Sequence, residues 1–204
     1  SSALSGTCES ARLAAAQVEN IEVEIIDSKS TSTGLGFMVL LAAEMIKEGR
    51  GLKEIKEAVL QEREKLTIYF TVNELSYLEK GGRIGKAQAF LGSIFNFNPI
   101  LELSAASGEI TPKEKIRGYK KTNQKMVDLA LDAAAGSDNV NFAYIYGKNT
   151  DNYMQLKDLF ESKLEEQEEF EYQLLENKIG TVLSSHTGPL VYGIVIYRGE
   201  LLGE

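Results

Sequence analysis

Ser1-Ser2-Ala3-Leu4-Ser5-Gly6-Thr7 opens the chain, and Ala11, Leu13, Ala14, Ala15 and Ala16 follow with strong helix propensity. A hydroxyl-rich loop that leads into a helix offers side-chain O–H donors together with the unsatisfied N–H groups of the first turn. That combination suits a phosphate or a carboxylate. The alternative is a plain N-cap, in which Ser5 or Thr7 satisfies the turn. The next stretch places such a loop in an α/β context. Ile21, Val23 and Ile25 alternate with Glu22 and Glu24, a strand period. Ile26 leads into Asp27, and Ser28, Ser30, Thr31, Ser32 and Thr33 fill a loop before Gly34, Gly36 and an apolar helix from about Leu35 to Lys47. Strand, polar loop and helix is the unit of open α/β sheets, whose ligands bind at the carboxyl ends of strands.

The remainder continues the pattern. Leu52, Ile55 and Val59 mark one face of a helix whose other face is charged. Leu66 to Val72 is β-branched and aromatic, a buried strand, and a domain boundary is placed beside it, dividing 1–65 from 66–204. A short helix with Leu75, Tyr77 and Leu78 is ended by Lys80-Gly81-Gly82. A helix over Ala87 to Phe95 comes next, then a strand from Ile100 to Leu103 with a hairpin turn at Ser107-Gly108. Helices are expected over Thr122–Ala135 and Asn152–Leu164. Strands are expected over Asn141–Tyr146, Phe170–Leu175, Thr181–Ser185 and Leu190–Tyr197. The fold class is α/β: a partial first lobe carrying the serine-rich loop, then a second lobe with a mixed sheet and helices.

Composition narrows the function classes. With 204 residues, 43% apolar and 25% charged, the chain is an ordinary globular one. A net charge of -8 argues against nucleic acid as the main partner, because phosphate binding needs a clustered basic face. Cys8 is the only cysteine, which excludes an internal disulfide and a cysteine-based metal cluster. No apolar stretch approaches a membrane span and no secretory signal is visible, so cytoplasm is the expected compartment. Glutamates crowd the stretch from Glu161 to Glu171, read as a solvated helix end and loop.

Several segments, in order, resemble the DegV-like fatty-acid-binding family. They are Ser1 to Thr7, then Asp27-Ser28-Lys29-Ser30, then Tyr77-Leu78-Glu79-Lys80-Gly81-Gly82-Arg83-Ile84. Asn98-Pro99-Ile100-Leu101, Ile116-Arg117-Gly118-Tyr119-Lys120-Lys121 and His186-Thr187-Gly188-Pro189 follow. There are two departures. Leu190 stands where the family usually has a small residue, and the family's preceding segment is not in this sequence. The resemblance implies a two-lobed fold that holds the acyl chain between the lobes, with a long-chain fatty acid as ligand and no cofactor or metal. It also implies a partner, a separate ATP-dependent fatty acid kinase that would convert the presented carboxylate to an acyl phosphate for phospholipid synthesis. The chain itself would do no chemistry.

The site residues follow from motif and resemblance together. Ser5, with Gly6 and Thr7, is expected at the carboxylate. Arg83 after two glycines is either an exposed helix-end arginine or a guanidinium for the lipid head. His186 is the only histidine. A lone histidine at the end of the Thr181–Leu183 strand is commonly structural, and the resemblance places it near the carboxylate. Asp27 and Ser28 are weaker candidates for the same cleft. Arg117, among Lys115, Lys120 and Lys121, is implied by resemblance to dock the kinase. Leu75, Leu78, Ile84, Phe90, Leu91, Ile94, Phe95 and Phe97 supply either a tail tunnel or an ordinary core.

Two other functions compete. One is a serine hydrolase or esterase with Ser5 as nucleophile, His186 as base and Asp27 as orienter, although no Gly-x-Ser-x-Gly elbow surrounds Ser5. The other is a nucleotide- or phosphate-binding module, for which no P-loop or Rossmann glycine pattern is present.

Overall fold

The computed structural model describes residues 1–92 and 97–202. Its strands are β1 (Leu66–Thr71), β2 (Asn98–Leu103), β3 (Ile110–Ile116), β4 (Asn139–Tyr146), β5 (Glu171–Lys178) and β6 (Tyr192–Arg198). Its helices are α1 (Thr7–Ala15), α2 (Ser32–Lys47), α3 (Leu52–Glu62), α4 (Ser76–Lys80), α5 (Tyr119–Ala134), α6 (Asp151–Glu166) and α7 (Thr181–Thr187). The strands form one mixed sheet in the order β3-β2-β1-β6-β4-β5. Only β4 and β5 run parallel, and α6 supplies the crossover that such a pair needs.

The inner strands bury both faces, so their side chains sort alternately into two cores. From β4, Phe142 and Tyr144 point to one side, Ala143 and Ile145 to the other. From β6, Ile194 and Ile196 oppose Val195 and Tyr197 in the same way. The first core is covered by α5 and α6, through Met126, Val127, Leu156 and Phe160. Phe142 and Phe160 meet edge to face with ring centroids 5.0 Å apart. The second core is covered by α2 and α3, through Phe37, Met38, Ile55 and Val59, with Leu75 and Leu78 beside them. Each such fully buried side chain contributes about 1.5–3 kcal/mol.

Three local expectations are corrected. The alternating segment at Ile21, Val23 and Ile25 is not a strand, and Ile21 and Val23 are exposed. Alternation marks a strand only where a neighbouring strand accepts its hydrogen bonds, and none pairs with it among the described residues. Thr181–Ser185 is helical: Gly180 caps α7, and Val182, Leu183, His186 and Thr187 recur at helical spacing on one face. The predicted helix over Ala87 to Phe95 is a 3-10 turn over Gly85–Phe90. Of the proposed tunnel residues, Ile94 and Phe95 lie outside the described residues.

Candidate functional site

On the α2 side of the sheet lies a cavity of about 240 Å³ with an apolar floor. Strand register builds that floor in two rows. Ile110, Leu103 and Ile68 stand side by side across β3, β2 and β1. Phe70, Gly193 and Ile145 form the second row across β1, β6 and β4, with no side chain at its centre. Leu78, Ile179, Val182, Leu183 and Val191 close the walls.

The polar lining comes from four separate pieces of chain: Ser1 and Ser5, Thr31 and Ser32, Arg83, and His186 with Thr187. The structure thus brings Ser5, Arg83 and His186 to one cavity, although 78 and 103 residues separate them in sequence. Arg83 follows α4 through Gly81 and through Gly82, whose φ of +69° requires glycine. Its Nε donates to the Leu4 carbonyl at 2.9 Å and its Nη1 to the Gly81 carbonyl. These bonds fix the guanidinium and tie the serine-rich loop to it. Among the described residues no carboxylate pairs with Arg83. A guanidinium held by two carbonyls therefore retains N–H donors and a full charge for an anion.

His186 sits in the last turn of α7 rather than at a strand end. Its Nδ1 is buried and makes no hydrogen bond. The Ser5 hydroxyl accepts from the Thr7 N–H at 3.2 Å and lies 2.8 Å from the Thr7 hydroxyl. The N-cap position of α1 is Gly6, with no side-chain cap bond, so Ser5 is not the N-cap of the alternative reading; it bonds Thr7 just ahead of the helix and lines the cavity. Gly6 and Thr7 do not line it.

Ser1, Thr31, Ser32 and Thr187 line the cavity without being among the expected site residues, and Ser32 is the one with an open hydroxyl. It opens α2 with φ of 52°, in the left-handed region, and its buried hydroxyl has no partner. The signal was available, since a serine- and threonine-rich loop before a long helix is the logic applied to residues 1–7. No acidic residue occupies the first turn of α2, so its N–H groups and dipole favour an anion there.

Asp27 and Ser28 do not line the cavity. The Asp27 carboxylate accepts from the Ser2 N–H at 3.0 Å, the Ser2 hydroxyl at 2.5 Å and the Lys29 N–H at 3.0 Å. Burial would push its pKa up, but the Ser2 hydroxyl and the two backbone N–H groups prevail and hold it at about 2. Ser28 donates to the Ser30 carbonyl at 3.4 Å. Asp27 is thus a clamp for the opening loop, and it makes no bond to His186. The hydrolase arrangement of Ser5, His186 and Asp27 is not assembled.

Arg117 is exposed, away from the cavity, with its guanidinium 5.2 Å from the Phe97 ring centroid. Of the expected tunnel residues, Leu78 lines the cavity, while Leu75 and Ile84 are buried in the surrounding core. Among the described residues no group of three or more His, Cys, Asp or Glu side chains converges on a point. No helix among them is long and apolar enough to cross a membrane.

A family model described as "Uncharacterised protein, DegV family" matches residues 1–199. A DegV domain-containing protein of Clostridium perfringens is 32% identical over 201 residues, 97% of this chain and 68% of its own length. Protein DegV of Bacillus subtilis is 34% identical over 197 residues, 95% of this chain and 67% of its own. Among solved structures, one described as the fatty acid binding of a DegV family protein from Thermus thermophilus superposes with a TM-score of 0.88. It is 33% identical, and the match covers 98% of this chain and 69% of that one. The Bacillus subtilis structure, described as DegV, a fatty acid binding protein, gives a TM-score of 0.81 at 30% identity, over 98% of this chain and 68% of that one. Sequence and fold agree from end to end of the match: the chain belongs to the DegV family.

Proposed function

We propose that this chain binds a long-chain fatty acid, with the tail over the sheet floor and the carboxylate among Ser5, Ser32, Arg83 and His186. The observation that carries this reading is an apolar cavity with an unpaired guanidinium at its polar end. Burying a charge is costly unless it is paired, so the cavity favours a ligand that is apolar along its length and anionic at one end. The Thermus and Bacillus relatives, described as binding fatty acids, support the same ligand. The parts before and after residue 65 act as the two lobes that hold it.

The finer reading is that the chain presents the carboxylate to a separate ATP-dependent fatty acid kinase in the cytoplasm and catalyses nothing itself. The unassembled serine triad favours presentation over hydrolysis. Arg117, exposed and away from the cavity, is the docking residue in this reading.

The test has two stages. Protein purified from a bacterial host is denatured and extracted, and the extract is examined by mass spectrometry. A long-chain fatty acid is expected. Repeated absence, with no uptake of added palmitate or oleate, refutes binding by this chain. With a cognate kinase and ATP, acyl phosphate should then form from the wild type and fall sharply with His186→Ala, while palmitate binding falls far less. Equal phosphorylation by His186→Ala would return this histidine to a structural role.

A further inference from the structure

Gly81 ends α4 with φ of -74° and ψ of -10°, a conformation open to any residue. Its neighbour Gly82 needs glycine for its backbone, and Gly81 does not. What Gly81 lacks is room. A Cβ there would stand 2.6 Å from His186 Nδ1 and 3.5 Å from Cε1, with the Tyr77 carbonyl oxygen on another side at 3.0 Å; the imidazole nitrogen is the closest contact. The Nδ1 edge of the imidazole therefore occupies the space that a side chain on Gly81 would fill. That nitrogen is buried without a hydrogen-bond partner.

Neutral imidazole carries its proton on one nitrogen and a lone pair on the other. A proton on Nδ1 would be driven against the Gly81 Cα with no acceptor to receive it. A lone pair there meets a Cα–H, a weakly favourable contact. The packing thus selects the tautomer. The same residue also acts on the other head-group side chain, since the Gly81 carbonyl accepts from Arg83 Nη1.

We propose that Gly81 is a positioning residue: its bare Cα seats the Nδ1 edge of His186 and holds the ring as the Nε2–H tautomer. Nε2–H is then the donor offered to a carboxylate in the cavity. That last step rests on the fatty-acid reading; the seating and the tautomer do not.

A single histidine makes the test clean. Protein labelled with 15N-histidine gives one pair of ring nitrogens. Two-bond 15N–1H correlations are recorded on ligand-free protein at about pH 8, above the ordinary histidine range. A protonated Nε2 with a bare Nδ1 is expected, and a protonated Nδ1, or an averaged mixture, would overturn the assignment. Gly81→Ala should shift the ring to a mixture and weaken palmitate binding by about tenfold, while methyl palmitate binding stays unchanged. An unaltered spectrum with unaltered affinity would overturn it. In ligand-free protein, Gly81→Ala should cost much less stability once His186→Ala has removed the ring, since only the looser contact with the Tyr77 carbonyl at 3.0 Å then remains. An equal loss with and without the ring would show that the Tyr77 carbonyl, and not the ring, needs the space. Should Gly81→Ala alone fail to fold, recovery in the double variant is the expected result, and continued failure overturns the assignment. Failure of the wild type to take up palmitate would retire the fatty-acid reading and leave the tautomer result standing on its own.

Discussion

Replacing Arg83 with Met keeps an unbranched side chain and removes the guanidinium. The Leu4 and Gly81 carbonyls each lose a charged donor. Hydrogen bonds to charged groups contribute about 1.5–3 kcal/mol when buried. Arg83 is only partly buried, so water replaces part of each bond. A destabilisation of about 1–2 kcal/mol follows, which for a chain of this size lowers Tm by about 2–8 °C. The effect on ligand is separable. A carboxylate loses one charge-assisted partner, so palmitate affinity should fall by about 10- to 100-fold. The tail contributes about 0.8 kcal/mol per methylene from the sheet floor and is untouched. Methyl palmitate has the same tail and no charge, so its affinity should change by less than about twofold. Calorimetric titration of both ligands into both proteins closes the cycle. Equal losses for acid and ester would refute the reasoning and leave Arg83 as a brace for the serine-rich loop.

Phe142→Ala removes a fully buried ring from its edge-to-face contact with Phe160 and should cost about 3–5 kcal/mol in urea unfolding; a loss under about 1 kcal/mol would mean the core refills the space. Asp27→Asn tests the loop clamp through pH. The folded pKa, about 2, lies below the ordinary 3.8, so the carboxylate's contribution is complete above pH 3.8 and disappears as pH falls through 2. Wild type should be the more stable protein at neutral pH, with the gap closing across that window, and a gap independent of pH would disprove the clamp. Arg117→Ala should leave palmitate affinity unchanged and slow kinase-dependent acyl phosphate formation; a large loss of lipid affinity with kinase docking intact would reverse its assignment.

The legible parts of the fold were those where one side chain's period decides one element. The Leu66–Thr71 strand, the amphipathic α5 and α6, and the β2–β3 hairpin needed only local pattern and a turn residue. The failures share a cause. Thr181 to Thr187 is too short for a hydrophobic period to be distinguished, and its β-branched residues favour a strand locally. Packing of Leu183 into the core beside α4 overrides that preference. At Ile21 to Ile25 the local pattern is right for a strand, but a strand also needs a paired edge, which no run of residues encodes by itself.

The candidate site divides along the same line. Ser5, Arg83 and His186 were legible because motifs mark them, yet nothing local says that a helix start, a glycine turn and a later helix end meet. The sheet supplies that meeting. Leu78 on α4, Leu183 on α7 and Leu4 in the opening loop all pack on the core above β1, so Arg83, His186 and Ser5, close to them in sequence, converge over the same floor. Ser32 arrives by a different route: Gly34 lies against the Ser30 hydroxyl and against Leu66 and Ile68 of β1, where an added Cβ would come within 2.9 Å of both apolar side chains and closer still to Ser30 Oγ. The close approach of α2 to β1 therefore sets where the Ser32 hydroxyl ends up. A bulkier residue at position 34 should displace Ser32 from the cavity without lining it, so under the proposed fatty-acid reading a residue that never meets the carboxylate would govern how many donors reach it.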